Sequence, residues 1–302
     1  MTASTLARSA VDAVALREAV VAALDTVLDP ELDEPVTDLG FVRSTAVDDL
    51  GAVTIHLRLP TSFCAPNFAW LMAGDARKAV SAVEGVSTVT IELDDHHDSD
   101  LINAGLARGD DYKGTFGHEA EDSLDDLRMV FRRKAHVAAM ERALTAWLHA
   151  DAARSETRVG TVTLADLPAG RERDGLLSRR AGLGLSLVPS SPVLVEFDGT
   201  PVPAADAVKR LRMARSVRIS IDGNAHFCRG LLQTRYPGSD ADQAPRVDGD
   251  GSVRRSLPLL TSSKGTCPRR PSASSATTTT WRRTCAWTTC RSRRSPVRTT
   301  SS

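Results

Sequence analysis

The fold is decided by residues 52–72, AVTIHLRLPTSFCAPNFAWLM, in which a strand pattern passes directly into a helix pattern. Apolar residues occupy every second position from Val53 to Leu59, which is the period of a half-buried strand. Pro66 suits the first turn of a helix that we expect to run to about Val83. The sequence therefore places the thiol of Cys64 where a strand gives way to a helix.

The segments on either side of this stretch predict a small α/β (α+β) domain over residues 11–94. The predicted elements are, in order, a helix (11–28), two strands paired as a hairpin (41–47 and 52–59), the helix from Pro66 and a third strand (86–93). Pro30 ends the first helix. This α-β-β-α-β order predicts an open sheet covered on one face by two helices.

The next part of the chain, up to residue 236, has weaker patterns. The polar, Gly- and Asp-rich segment 95–118 is interpreted as a linker, and residues 119–236 as a long helix (about 119–152) followed by a second α/β unit. The elements expected in that unit are strands at Val159–Leu164, Val193–Phe197 and Val217–Ile221 and a helix at Ala204–Met213.

Residues 237–302 lack periodicity and are predicted to be a disordered tail. Ser and Thr each occur eleven times in residues 251–302, and aliphatic residues are rare, so little surface can be buried to offset the entropy of ordering. Shifting the reading frame of a GC-rich gene would give an acidic sequence here. We therefore also consider a frameshift artefact from about residue 251, the alternative being a natural basic Ser/Arg tail.

The zero net charge hides an asymmetry between the tail and the rest of the chain. Residues 251–302 carry eleven Lys and Arg and no acid, which leaves 27 bases against 38 acids in residues 1–250. An acidic body argues against nucleic acid as its partner. No apolar run approaches the roughly 20 residues that cross a bilayer. We therefore expect a cytoplasmic protein with no membrane partner.

Cys64 is the residue on which we expect the chemistry to depend. Thr61 or Ser62 can cap the following helix, which would put the sulfur near the positive end of a helix dipole. Such an environment lowers the pKa of a thiol, and a thiolate is both a nucleophile and a ligand for soft metals. The alternative is a small buried cysteine that only packs.

The second informative stretch is residues 28–42, LDPELDEPVTDLGFV, between the first helix and the hairpin. Its acids Asp29, Glu31 and Asp38 could form a polar rim near the thiol. The structural alternative is that Asp29 forms an Asx turn and that Gly40 serves a tight backbone.

These motifs resemble those of the iron–sulfur-assembly family known as MIP18/DUF59, which includes PaaD- and SufT-like proteins. The motifs that carry the resemblance, over about residues 16–93, are Asp29-Pro30-Glu31, Asp38-Leu39-Gly40, and Thr61 with Cys64. The resemblance implies a role in assembling or delivering iron–sulfur clusters, or in maturing metalloenzymes that include multicomponent oxygenases. It implies client metalloproteins or iron–sulfur assembly proteins as partners.

The number of thiols limits how a cluster could be held. A cluster normally takes four protein ligands, whereas Cys64 supplies one per chain or two in a homodimer. The leading hypothesis is therefore a maturation factor that contacts a transient cluster, iron or a client through Cys64. The second is a metal-free module that helps to assemble a metalloenzyme such as a di-iron monooxygenase. The third is a thiol-dependent enzyme with His56 near Cys64.

Two histidine-containing segments are weaker candidates. His96 and His97, in DDHHDSD at 94–100, could bind a divalent metal, but a solvated loop is the favoured interpretation. His226 and Cys228 have no further ligand types near them in the sequence and are interpreted as packing residues. The odd number of five cysteines indicates reduced thiols.

Overall fold

The computed structural model describes residues 3–117 and 124–244, together with the short strands at 246–247 and 253–254. Its helices and strands are, in chain order, α1 (Ala3–Leu24), β1 (Val42–Val47), β2 (Ala52–Arg58), α2 (Pro66–Ser81), β3 (Thr88–Asp94), α3 (Ser99–Arg108), α4 (Tyr112–Phe116), α5 (Leu124–His149), α6 (Arg171–Gly182), α7 (Ala207–Arg235), β4 (Arg246–Val247) and β5 (Val253–Arg254).

A three-stranded sheet with β2 in the centre organises the N-terminal part of the chain. Strands β1 and β2 form the predicted antiparallel hairpin, and β3 pairs with β2 in parallel, with Ile55 opposite Ile91. Helix α2 connects the two parallel strands, and α1 packs on α2. The predicted α-β-β-α-β order is confirmed. The bounds of the strands and of α2 are shifted by one or two residues, and α1 runs from Ala3 to Leu24 rather than from residue 11 to residue 28.

The alternation along β2 explains why these residues form a half-buried sheet. Val53, Ile55 and Leu57 are buried, while Thr54 and His56 between them are partly exposed. The buried face meets apolar residues of α1 and α2 in one core, so that both helices are held by the hydrophobic effect. Its fully buried members include Val20, Leu24, Ile55, Ala73 and Val80.

The linker predicted for residues 95–118 is wrong over 99–116, which form α3 and α4. Ile102 and Leu106, one helical turn apart, are buried in the same core as the sheet. The Asn103 side chain accepts a hydrogen bond from the Leu93 backbone N–H at 2.9 Å, which fixes α3 to the end of β3. The polar composition misled the prediction because two apolar positions suffice to bury one side of a ten-residue helix. The domain bounds drawn from this linker stay a prediction.

The predicted second α/β unit is helical. Helix α5 confirms the expected long helix, and the helix predicted at Ala204–Met213 is the start of α7. All three strands predicted there are wrong. Of residues 159–164, all but Val162 and Thr163 lie in two short 3-10 turns, Glu156–Thr161 and Leu164–Asp166. Val193–Phe197 takes part in one isolated bridge, between Val195 and Pro201, and Val217–Ile221 lies inside α7. The β-branched residues favoured strands, but a helical stripe of buried residues along α7 decides its structure: Leu211, Ala214, Ile221 and Ala225.

Helix α7 belongs to two hydrophobic clusters. Its N-terminal half packs with α5, where the fully buried carboxylate of Glu141 is paired with Arg215 at 3.1 Å and with Arg218. Its C-terminal half contributes Ala225 and Leu232 to the core of the sheet. Helix α7 therefore fixes the helical layer, formed by α5 and α6, to the sheet. Among the helices within the described ranges, none has both the length and the apolar character that a membrane span needs.

The disordered tail predicted from residue 237 is wrong for its first residues, because 239–244 contact the sheet and its turn. Asp242 pairs with Arg58 at 2.6 Å, and the backbone N–H of Ala244 donates to the Asp38 carbonyl at 3.1 Å. A Cβ on Gly40 would lie 2.9 Å from the Gln243 side chain, and Gly40 has φ +74°. The rest of the predicted tail, including the proposed frameshift, lies outside the described residues apart from the two short strands.

Shortening the chain tests how much residues 239–244 stabilise the fold. We expect residues 1–259 to retain the stability of the full chain. We expect residues 1–238 to lose about 1–3 kcal/mol, because the nearly buried Arg58 loses Asp242. Urea unfolding of the three chains measures the difference, and equal midpoints for 1–238 and 1–259 would show that the segment contributes nothing.

Candidate functional site

Cys64 lies in the loop between β2 and α2 and is half-buried. The predicted side-chain cap by Thr61 or Ser62 is wrong. Ala65 occupies the N-cap position of α2, and no side chain makes a capping hydrogen bond there. Pro66 occupies the first helical position, which fixes the start of the helix beyond the reach of the two hydroxyls. Thr61 instead holds the loop, accepting a hydrogen bond from the Phe63 backbone N–H at 3.3 Å and lying 3.4 Å from the Cys64 sulfur.

His96 fixes the backbone of this thiol loop, a role that the sequence did not suggest. Its Nε2 donates to the Cys64 carbonyl at 2.8 Å, and its Nδ1 accepts from the Asp98 backbone N–H at 3.1 Å. A carbonyl can only accept and a backbone N–H can only donate, so the ring is neutral with its hydrogen on Nε2. The adjacent backbone N–H of His97 donates to the Ser62 carbonyl at 2.9 Å.

The solvated loop expected at His96 and His97 is wrong for His96, which is only 5% exposed. Both of its ring nitrogens are used within the protein. Over the described ranges, no set of three or more His, Cys, Asp or Glu side chains is arranged to hold a metal ion. His96 is therefore a positioning residue for the thiol loop.

The Asp29-Pro30-Glu31 motif forms the Asx turn considered above. The Asp29 carboxylate accepts backbone N–H groups from Glu31 at 2.9 Å and Leu32 at 2.8 Å. Burial raises the pKa of Asp29 to about 6, although these two hydrogen bonds act in the opposite direction. Asp29 is 7% exposed. The turn thus keeps a carboxyl group in an environment where its charge is costly.

The Asp38-Leu39-Gly40 motif serves backbone contacts. The Asp38 carbonyl accepts from Arg229 Nη1 at 2.5 Å, and the Gly40 carbonyl accepts from Arg58 Nε at 3.2 Å. Burial is the main reason that the pKa of the Asp38 carboxyl is raised, against the opposing charge of Arg229. These contacts favour the structural interpretation of Gly40, and a functional role for either residue stays a prediction.

Helix α7 covers the turn that carries these acids. Asn224 donates to the Glu31 carboxylate at 3.2 Å, and Arg229 pairs with Glu34 at 2.6 Å. Cys228 lies between these two contacts along the helix and packs on the same core as Cys64. No sequence pattern signals this arrangement, because Cys228 is far from Cys64 along the chain.

Cys228 is half-buried on the helix that contacts the acidic turn. Burial raises the pKa of the Cys228 thiol to about 12. The carboxylates of Asp29, Glu31 and Glu34 act in the same direction. The two cysteines thus pack on one core, and the helix that carries Cys228 contacts the first acidic motif.

An exposed aromatic residue stands next to the thiol. Phe63 is 80% exposed, and its ring centroid lies 5.8 Å from that of His97. An open cavity of about 520 Å³ borders this pair; its lining includes Ser62, Asp95, Arg235 and Tyr236. His56, considered above as a partner of Cys64, is paired with Asp94 at 3.0 Å. The hydrogen-bond partner of the Cys64 sulfur is Thr61.

The fold and the site define a small α/β domain with a thiol at the strand–helix junction, and comparison with known proteins agrees with that class. The family described as iron-sulfur cluster assembly protein matches residues 17–93. An uncharacterized protein from Methanocaldococcus jannaschii is 36% identical over 80 residues, covering 26% of this chain and 82% of that protein. The chain therefore belongs to the iron–sulfur cluster assembly protein family, as its motifs predicted.

A second similar protein is an iron-sulfur cluster carrier protein from Mycobacterium leprae, 32% identical over 89 residues. The match covers 30% of this chain but only 23% of the length of that carrier. No solved structure matched the chain. The general role in iron–sulfur cluster assembly thus rests on the N-terminal domain.

Replacing Asp29 tests the electrostatics of the turn. The folded-state pKa of about 6 lies above the ordinary 3.8. The contribution of Asp29 to the free energy of unfolding is therefore fully present below pH 3.8, where the carboxyl is protonated, and is lost as the pH rises through 6 and the buried carboxyl becomes charged. Asp29→Asn keeps the acceptor oxygen without the charge. We expect this variant to gain about 2–3 kcal/mol relative to wild type between pH 4 and 7. Urea unfolding at several pH values measures this, and parallel pH profiles would contradict it.

Replacing His96 tests the positioning of the thiol loop. His96→Ala removes the bond to the Cys64 carbonyl, so we expect a loss of about 1–2 kcal/mol and faster alkylation of Cys64 by iodoacetamide. His97→Ala is the matched control: the hydrogen bond from His97 to the loop is made by its backbone, so this substitution removes the ring contact with Phe63 and leaves that hydrogen bond in place. Peptide mass spectrometry follows Cys64 separately from the other cysteines. Equal alkylation rates in the two variants would show that His96 does not order the loop.

Proposed function

We propose that this protein is a non-enzymatic maturation factor that receives an iron–sulfur cluster, or iron, through Cys64 and passes it to a client metalloprotein. Membership of the iron–sulfur cluster assembly family supports the general role. The observation that carries the proposal is the state of Cys64: a free, half-buried thiol whose loop is held by His96. The thiol is therefore both accessible and positioned.

The ligand chemistry favours passing a cluster on rather than storing it. A cluster normally takes four protein ligands, and Cys64 alone supplies one. A partner must then complete the ligand set, whether a client, an iron–sulfur assembly protein or a second copy in a homodimer. As part of the same proposal, the protein acts in the cytoplasm, where thiols are kept reduced.

Anaerobic reconstitution tests the proposal. The full chain is used with Cys267, Cys285 and Cys290 replaced by Ser, so that tail thiols cannot contribute. This protein and its Cys64→Ala variant are supplied with iron and sulfide, and visible absorption and iron and sulfide content are measured. We expect a labile cluster in the first and none in the second. Equal uptake by both would remove Cys64 from the proposal.

A metal-free interaction module is the second candidate, and one observation favours it. Phe63 exposes a large apolar ring beside Cys64, as residues that contact another protein often do. If neither protein takes up a cluster, this candidate replaces the first. It then predicts that Phe63→Ala weakens binding to a client while the melting temperature is unchanged.

A further inference from the structure

Helix α7 turns one face, with Cys228 on it, toward the acidic turn and the core of the sheet. Asn224 and Leu232 lie four residues before and after Cys228, and Ala225 lies three residues before it, so all four share one stripe of the helix. Asn224 bonds to Glu31, while Ala225 and Leu232 are fully buried in the core of the sheet. The stripe that carries Cys228 therefore faces the N-terminal domain.

Contacts on both sides of Cys228 fix its position along the helix. Arg229, the next residue, pairs with Glu34 and bonds to the Asp38 carbonyl. Arg235, near the end of the helix, bonds to the Leu59 carbonyl at 3.1 Å, at the end of the strand that leads to Cys64. The helix cannot rotate or slide without breaking these bonds. Cys64 and Cys228 both pack, half-buried, on one core cluster.

We propose that Cys64 and Cys228 form one two-thiol site that binds the edge of an iron–sulfur cluster. This inference rests on the proposed function and assigns it a second ligand. One chain then supplies two of the four ligands that a cluster normally takes. The other two come from the donor or the acceptor, so the cluster is held during transfer and released afterwards.

Ligand exchange accounts for the atoms of this transfer. A [2Fe–2S] cluster carried by four glutathione thiolates gives up two of them. The two departing thiolates take up the protons released by the Cys64 and Cys228 thiols. Two iron–thiolate bonds break and two form, and neither iron changes oxidation state.

The first test measures the proximity of the two thiols without iron. Dibromobimane alkylates two nearby thiols, forming two sulfur–carbon bonds with release of two bromide ions and two protons. In the full chain with the three tail cysteines replaced by Ser, we expect one bridged species joining Cys64 and Cys228, seen by peptide mass spectrometry. Modification of each thiol separately, or no reaction at Cys228, would overturn the two-thiol site.

The second test measures what Cys228 contributes to holding the cluster. In the same background, each protein is loaded from the glutathione-ligated cluster, and loss of the cluster to a chelator is timed. We expect Cys228→Ala to lose it at least about tenfold faster than the parent protein. Cys228→Ser retains the packing volume and is expected to behave like the alanine variant. A rate equal to that of the parent in both variants would overturn the proposal.

A matched control keeps the number of thiols constant. Ser220 is exposed on the same helix, eight residues and thus about 12 Å along the axis from Cys228. The double variant Cys228→Ala/Ser220→Cys carries two thiols, of which one is misplaced. We expect it to lose the cluster as fast as Cys228→Ala. Retention like that of the parent would show that thiol number, rather than the site, holds the cluster, and would overturn the proposal.

These results separate this inference from the proposed function. A cluster that depends on Cys64 but not on Cys228 retains the carrier function and rejects the two-thiol site. A bimane bridge in a protein that takes up no cluster rejects the carrier function and, with it, cluster binding by the thiol pair. Dependence on both cysteines, together with the bridge, supports both.

Discussion

The contact of Arg229 with the turn at residues 29–40 is the interaction on which the site depends. Its guanidinium pairs with Glu34 at 2.6 Å and bonds to the Asp38 carbonyl at 2.5 Å, and it is largely buried. Removing one partner of a buried ion pair typically costs about 3–5 kcal/mol, because the other charge is left uncompensated. This contact therefore holds the second half of α7 over the acidic turn and keeps Cys228 beside it.

The same helix connects the domain that defines the family to the part of the chain that does not match it. The family matches residues 17–93, and α7 lies outside that range. At its N-terminal half, the pairing of buried Glu141 with Arg215 and Arg218 fixes α7 to α5. The helical layer thus acts on the site by holding α7 in place. Through α7, this chain has contacts with the acidic turn that the matching domain alone does not contain.

Sequence reasoning succeeded where the interaction is local. The alternation from Val53 to Leu59 specified β2, and Asp29 before a proline specified an Asx turn, because partners within a few residues decide both. It failed for Val217–Ile221, where β-branched residues suggested a strand. The helical stripe from Leu211 to Ala225 is buried by neighbours distant in sequence, and this burial outweighs local propensity.

Local sequence patterns were enough to specify the α-β-β-α-β domain, its family and the place of Cys64 between a strand and a helix. Periodicity and short motifs carry that information, since they reflect backbone geometry along the chain. The tertiary structure alone decided that His96 holds the thiol loop and that Cys228 approaches the acidic turn. These contacts depend on the rotation and length of α7 and on the path of the loop after β3. Those are set by the packing of many side chains at once, which no single stretch of sequence specifies.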